Sequence, residues 1–388
     1  MTDRGVSNRV ARIEPQQIRR LFDLAGEHDA DDLVHLEVGE PDFHTPEHVV
    51  DAAVTAAREG RTNYTPNAGI GALRQAIADR LRGRDIDAEP DRVVVTTGGV
   101  EALYLTLLTV TDPGDEVVVP TPAWPNPLSQ ARLANAVPVE VPLSSSDGFA
   151  FDADRVIDAI TDRTGAVVLT SPSNPTGRVF DVSAMERVVE AAVSHDSYVI
   201  ADEVYHELTY ERSQPSLAAV TKYPERVVTI DSCSKTYAMT GWRVGWLSGS
   251  ESVTAAATKI HESTTSCVNT PAQYAALAAL TGSDGPVREM KAAFERRRDV
   301  VVERIHELPT VSMTPPEGAF YAFVDVSALP GSSLEVAERL LFEYDVVAAP
   351  GSAFGDAGEG YLRFSFANDL ERIELGLDRF EQMVETET

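Results

Sequence analysis

Apolar positions along the chain keep two rhythms, and the switch between them outlines the fold. Val49, Ala53 and Ala57 recur at helical spacing between Thr45-Pro46 and Gly60, and Ile70, Leu73, Ile77 and Leu81 do the same before Gly83. The first stretch predicts a helix with Thr45 as N-cap, Pro46 as first helical residue and Gly60 as its stop. Short continuous apolar runs follow at 93–95, 117–119, 166–169, 198–201 and 227–230, as expected of strands buried on both faces of a parallel sheet. Helical stretches such as 101–110 and 183–194 separate them. This alternation predicts an α/β fold, a three-layer domain around a mostly parallel central sheet.

After Gly285 the rhythm changes. A charged helical stretch at 287–306 leads to a strand-like 319–324, a helical 334–344, a strand-like 361–367 and a final helix from Asp369. The pattern predicts a smaller α+β domain. Residues 45–285 are assigned to the large domain, and 1–44 with 286–388 to the small one. No repeat, low-complexity segment or long linker interrupts the series.

Composition narrows the classes of function. A chain of 388 residues, 43% apolar and 24% charged, fits a soluble globular protein with more than one core. No apolar run reaches the roughly 18–20 residues of a membrane span, and positions 1–14 lack a signal-peptide stretch. A cytoplasmic location without a membrane partner is expected. Cys233 and Cys267 form neither a disulfide framework nor a C-x-x-C pair, and His44 precedes the predicted helix that holds His48, so no metal site is expected. Acidic side chains number 61 against 33 basic ones, a net charge of -28 spread along the whole chain. That balance disfavours a nucleic-acid partner. It also predicts a salt-loving host, because self-repulsion is screened when the Debye length falls to about 3 Å near 1 M salt.

In open α/β sheets, ligands bind beyond the carboxyl ends of the strands. Thr97-Gly98-Gly99, residues 171–177, Asp202-Glu203 and residues 232–235 each directly follow a predicted strand, so the rule brings them to one edge. Lys235 is one of four lysines, with Lys222, Lys259 and Lys291. It lies among Ser232, Ser234 and Thr236 after a buried strand, the partly desolvated setting a nucleophilic amine needs. Arg243, eight residues on, can clamp a phosphate beside serine hydroxyls. Gly98-Gly99 before Glu101 offers free N–H groups at a helix start, a ready anion site. Asp202 ends an apolar run, where a carboxylate is costly unless paired, and a protonated heterocyclic nitrogen would pair it.

Ser232-Cys-Ser-Lys-Thr-Tyr-Ala-Met-Thr-Gly-Trp-Arg-Val-Gly245 resembles the lysine signature of the class I and II aminotransferases, pyridoxal-phosphate enzymes of fold type I. The resemblance extends, in family order, to Gly39-Glu-Pro-Asp-Phe43, Asn63-Tyr-Thr-Pro66, Thr97-Gly-Gly-Val-Glu-Ala-Leu103, Ser171-Pro-Ser-Asn-Pro-Thr-Gly177, Ala201-Asp-Glu-Val-Tyr205, Pro316-Glu-Gly-Ala-Phe320 and Leu362-Arg-Phe-Ser365. It implies that Lys235 holds pyridoxal 5'-phosphate as a Schiff base and then shuttles a proton between substrate Cα and cofactor C4′. Asp202 would keep the pyridine nitrogen protonated. Asn174 and Tyr205 would bind the ring O3′, and Trp124 would stack on the ring. Gly99, Val100, Ser232, Ser234 and Arg243 would bind the phosphate, with Tyr64 reaching it from the other subunit of a homodimer. Arg363 would grip the substrate α-carboxylate bidentately, with Gly39, Trp124 and Asn174 beside it.

The implied activity is amino-group transfer between an L-amino acid and a 2-oxo acid through pyridoxamine phosphate. Val100 stands where some relatives acting on acidic amino acids carry a lysine, which weakens a dicarboxylate preference, although Arg12, Arg19 or Arg20 could supply a cation. Other reactions share this scaffold, namely carbon–sulfur lyase and aminocyclopropane-carboxylate synthase chemistry. A non-enzymatic cofactor-binding sensor domain is a third reading, opposed by the acidic charge and by the absence of a helix-turn-helix before Gly39.

Overall fold

The computed structural model describes residues 7–13, 17–28, 30, 32–211 and 213–387. The other positions, most of them in the N-terminal part of the expected small domain, lie outside the described residues. Past a short strand, Val34–His35 (β1), the chain builds a seven-stranded sheet. Its strands are Val93–Thr96 (β2), Glu116–Thr121 (β3), Val137–Pro142 (β4), Thr164–Thr170 (β5), Tyr198–Asp202 (β6), Val227–Ser232 (β7) and Gly245–Ser248 (β8). They lie in the order β2-β8-β7-β6-β5-β3-β4.

All five predicted strands form, and pairing through β4, β3, β5, β6 and β7 is parallel. One expectation needs correction. Residues 93–95 pair antiparallel with β8, which is itself antiparallel to β7. β8 is only four residues long and begins at the last residue of the lysine signature, so the apolar pattern gave no sign of it. The edge strand β4, exposed or half-exposed except at Val141, escaped for the opposite reason, having no continuous buried run.

Alternation along each strand feeds two apolar layers. Val93, Val95, Val118, Val167, Leu169, Val199 and Ala201 face the helices Glu47–Arg58, Gly71–Arg82, Val182–Ser194 and Thr270–Thr281. Val94, Val117, Val119, Ala166, Val168, Ile200 and Ile230 face Gly99–Val110 and Glu251–Thr264. The helix after Pro46 departs from expectation in two details. It begins at Glu47 with Pro46 as N-cap, because the Thr45 hydroxyl donates instead to Ala238 O at 2.7 Å and accepts from Trp242 Nε1 at 3.0 Å. Its buried stripe runs through Val49, Ala53 and Ala56, not Ala57, since seven residues nearly close two turns and eight overshoot.

A separate apolar cluster gathers Gly285–Glu307, Ser333–Tyr344 and Leu370–Glu387 around a four-stranded sheet. Its strands are Ser312–Met313 (β9), Tyr321–Asp325 (β10), Ala349–Pro350 (β12) and Tyr361–Ser365 (β13), in the order β12-β13-β10-β9. Val346–Val347 (β11) pairs in parallel with β1. Leu36 O accepts from Ser365 N, so the segment holding Glu37 and Gly39 is anchored to β13. Among the described residues no helix is long and apolar enough to cross a membrane.

Candidate active site

The ends of β5, β6 and β7 and the start of β8 share one sheet edge. Register places Thr170 beside Asp202 and Ser232 beside Gly245. Because β8 runs antiparallel to β7, it starts from that edge, just after Arg243. Gly245 has to be glycine there, since a Cβ would lie 2.6 Å from both Gly98 C and Gly99 N. Arg243 itself has a left-handed backbone, φ 57°. Its Nη1 donates to Thr240 O at 2.8 Å and its Nη2 to Thr97 O at 3.4 Å.

These ends open into a cavity of about 260 Å³ whose lining includes Gly39, Gly99, Val100, Trp124, Asn174, Asp202, Tyr205, Ser232, Ser234, Lys235 and Arg243. Eleven of the thirteen expected site residues thus meet at one place. Arg363 stands directly behind, 1% exposed. Its Nη1 donates to Asn174 Oδ1 at 3.0 Å, Nη2 donates to Glu37 O, and its guanidinium lies 4.4 Å from the Tyr321 ring and 5.0 Å from that of Phe354. Its buried Nε has no hydrogen-bond partner. Tyr64 is not brought to this cavity within the subunit. It is 90% exposed, on a separate surface depression with Asn63, Cys267 and Thr270. Arg12, Arg19 and Arg20 do not line the cavity either; Arg19 pairs with Asp23 and Arg20 with Glu338.

Lys235 Nζ donates to Gly39 O. Burial pulls its amine down to about 8, helped by the Arg363 and Arg243 charges and opposed by Glu40 and Asp202. Burial likewise pushes the Asp202 carboxyl up to about 7, against a hydrogen bond from Val204 N and the Lys235 charge. A carboxylate in that state gains from a cationic partner, which a protonated ring nitrogen supplies. Ser232 Oγ donates to Ser234 Oγ at 2.7 Å, and the Ser234 N–H donates back to Ser232 Oγ at 3.0 Å. Tyr205 and Tyr321 join their hydroxyls at 2.8 Å. Burial holds the Tyr205 phenol well above its ordinary value, so it stays protonated and able to donate.

Sequence reasoning missed Tyr321, Glu40, Thr170 and Thr240, all of which line the cavity. Three had a signal: Tyr321 immediately follows the motif ending at Phe320, Glu40 lies inside the one beginning at Gly39, and Thr240 lies inside the lysine signature. Gly39 is needed for a reason beyond backbone approach, since a Cβ there would lie 2.6 Å from the Tyr321 hydroxyl.

A desolvated lysine, a half-buried aspartate lining the same cavity and free N–H groups at a helix N-terminus are the groups expected of a lysine-anchored cofactor enzyme on a fold type I scaffold. The sequence pattern of the family described as aminotransferase class I and II matches residues 31–380. The chain is 38% identical to a probable aspartate aminotransferase of Methanocaldococcus jannaschii, over 98% of this chain and 100% of that one. It is also 38% identical to an aromatic-amino-acid aminotransferase of Thermococcus litoralis, over 98% of each chain. The solved structure of Thermus thermophilus aspartate aminotransferase with maleate superimposes with a TM-score of 0.93 at 39% identity, covering 98% of this chain and 99% of that one. The chain belongs to the class I and II aminotransferases, pyridoxal-phosphate-dependent enzymes that transfer amino groups. Amino-group transfer is thereby favoured over the lyase, synthase and sensor readings.

The residues present fit that cofactor. A Cβ on Gly98 would lie 2.5 Å from Arg243 Nη2, so the glycine keeps open a cradle floored by the N–H groups of the helix Gly99–Val110.

Proposed function

We propose that this enzyme exchanges amino groups between an L-amino acid and a 2-oxo acid, with Lys235 as both cofactor anchor and proton carrier. The observation that carries the reading is Lys235 itself, a buried amine lowered to about 8 between Asp202 and Arg243 on one cavity wall. When bound, pyridoxal phosphate supplies the electron sink that makes the substrate Cα–H acidic. The chain's own groups do the rest. Arg363 binds the substrate α-carboxylate, with its unpartnered Nε ready to complete a bidentate grip. Lys235 Nζ, neutral above about pH 8, would take the Cα proton and deliver it to the cofactor C4′. Asp202 holds a proton on the ring nitrogen, Asn174 and Tyr205 orient O3′, and Trp124 covers the ring face. Gly99, Val100, Ser232, Ser234 and Arg243 bind the phosphate.

Tyr64, presented outward, reaches the phosphate of a second copy in a homodimer with shared sites. Residues 45–285 act as the cofactor-binding domain, and residues 1–44 with 286–388 as the substrate-side domain. The protein works in the cytoplasm of a salt-rich host, the reading its net charge of -28 supports. Relatives are named for aspartate, prephenate and aromatic amino acids. Among the described residues the basic groups lining the cavity are Lys235 and Arg243, both already engaged, which supports a neutral or aromatic side chain over a second carboxylate.

Single-turnover release of the 2-oxo acid from an amino acid added alone, in molar KCl, tests the reaction. Borohydride reduction with peptide mapping tests the anchor, and a label on Lys222, Lys259 or Lys291 would overturn it. Faster single turnover with aspartate than with phenylalanine would overturn the side-chain reading.

A further inference from the structure

Tyr64 stands exposed on a loop whose residues on either side are tied down. Asn63 O accepts from Thr270 Oγ1 at 2.7 Å, Thr65 Oγ1 accepts from Gln273 Nε2 at 3.0 Å, and Asn67 O is 2.8 Å from His261 Nδ1. The backbone is fixed while the aromatic faces out, so presentation of the phenol needs no further ordering of the loop.

His261 reaches in two directions. It is fully buried in the helix Glu251–Thr264. The partner of Nδ1 is a carbonyl, so this nitrogen is the donor. Nε2 faces Glu101 Oε2 at ion-pair distance, 3.5 Å. Glu101, in the first turn of Gly99–Val110, reaches back to accept from the Thr97 N–H at 2.5 Å and also accepts from Thr265 Oγ1. The carbonyl of that same Thr97 accepts from Arg243. Burial works against charge on both partners, yet their mutual interaction and their other hydrogen bonds outweigh it. Glu101 is held down to about 2 and His261 above its ordinary value.

We propose that His261 is a positioning residue for cofactor phosphate in both subunits of the dimer. Through Glu101 and Thr97 it sets the phosphate turn of its own subunit; through Asn67 it sets the loop that presents Tyr64 to the partner subunit. The inference rests on the dimer reading of Tyr64 given above. If His261 merely filled the core, its replacement would lower stability without singling out the phosphate.

The test compares affinities of the apoenzyme for pyridoxal phosphate and for pyridoxal, which lacks the phosphate, in His261→Gln, Glu101→Gln, Tyr64→Phe and the double variant His261→Gln/Tyr64→Phe. Each single variant is expected to weaken pyridoxal phosphate about tenfold, the scale of one charge-assisted hydrogen bond, with pyridoxal unchanged. The double variant is expected to lose clearly less than the product of the two single losses. Equal loss for both ligands, or an unchanged affinity in His261→Gln, would overturn the proposal. Independent losses in the double variant would overturn the loop arm. Glu101→Gln, nearly isosteric, serves if His261→Gln does not fold, and an unchanged phosphate affinity there overturns the turn arm. An unaffected Tyr64→Phe would instead refute the dimer reading, and Glu101→Gln would then judge the turn arm alone.

Discussion

Asp202 and Glu203 are neighbours in sequence, as are Asp231 and Ser232, yet the two sides of these strand ends follow opposite electrostatic rules. On the side of Gly99–Val110 lie Asp202, Ser232 and Lys235, a set lining an open cavity. On the other side, Arg84 bridges Glu203 and Asp231, its Nη1 3.0 Å from Asp231 Oδ2 and its Nη2 donating to Glu203. Glu203 further accepts from Ser216 Oγ at 2.9 Å and Leu217 N at 3.0 Å, and Asp231 accepts from Ser232 N at 2.7 Å. One guanidinium serves two carboxylates there, and burial pushes the Asp231 carboxyl up to about 7, where taking a proton makes the cluster neutral. The comparison teaches that burial of charge does not by itself mark a site. What distinguishes the functional side is charge that the protein leaves for something else to satisfy.

Substitutions on the two sides should therefore separate rate from stability. The largest effect is expected for Lys235→Ala, which should cut single-turnover oxo-acid release by at least about 10³-fold while the apoenzyme melts at or above the wild-type temperature, since an unfavourably buried amine is removed. Asp202→Ala should retain some cofactor and lose most of the rate, about 100-fold or more; near-normal turnover would refute its role at the ring nitrogen. Arg84→Met should do the reverse. Stripping two buried carboxylates of their cation costs about 3–5 kcal/mol, read as a lowered denaturation midpoint, whereas turnover of the folded fraction falls far less than in Lys235→Ala. The deficit should shrink from pH 8 to pH 5: burial already raises the folded-state Asp231 pKa above the unfolded one and loss of Arg84 removes an opposing charge, so lowering the pH favours the folded form. The smallest effect is a pH displacement. Capture of pyridoxal phosphate by the apoenzyme requires a neutral amine, so its rate should rise through about pH 8, and a rise centred near 10.4, typical of an exposed lysine, would show that burial does not tune Lys235.

The ligand-facing side was legible in the sequence because each of its residues directly follows a strand that the apolar rhythm marks, and because the motifs around them lie in family order. The closed side was not. Arg84, in Gly83-Arg84-Asp85, reads as an ordinary polar turn, and nothing local shows that it folds beneath β6 and β7. His261 reads as one histidine in a charged helix, since its burial depends on helices packed from elsewhere. β8 and the pairing of β2 depend on sheet order, which the apolar pattern does not encode. Thr45 had the right chemistry for a cap and spent it on Ala238 O, a tertiary partner 193 residues away.

The pairing of Ser232 with Gly245 closes residues 233–244 into a loop with fixed ends, and both Lys235 and Arg243 belong to it. On the proposed reading, the attachment point Lys235 and the anion clamp Arg243 are thus spaced by one short piece of covalent chain. Such a loop would then act as a length gauge, matching aldehydes by the reach of their anionic arm, and a homologue longer by a single methylene is expected to bind more weakly even though every contacting group is unchanged.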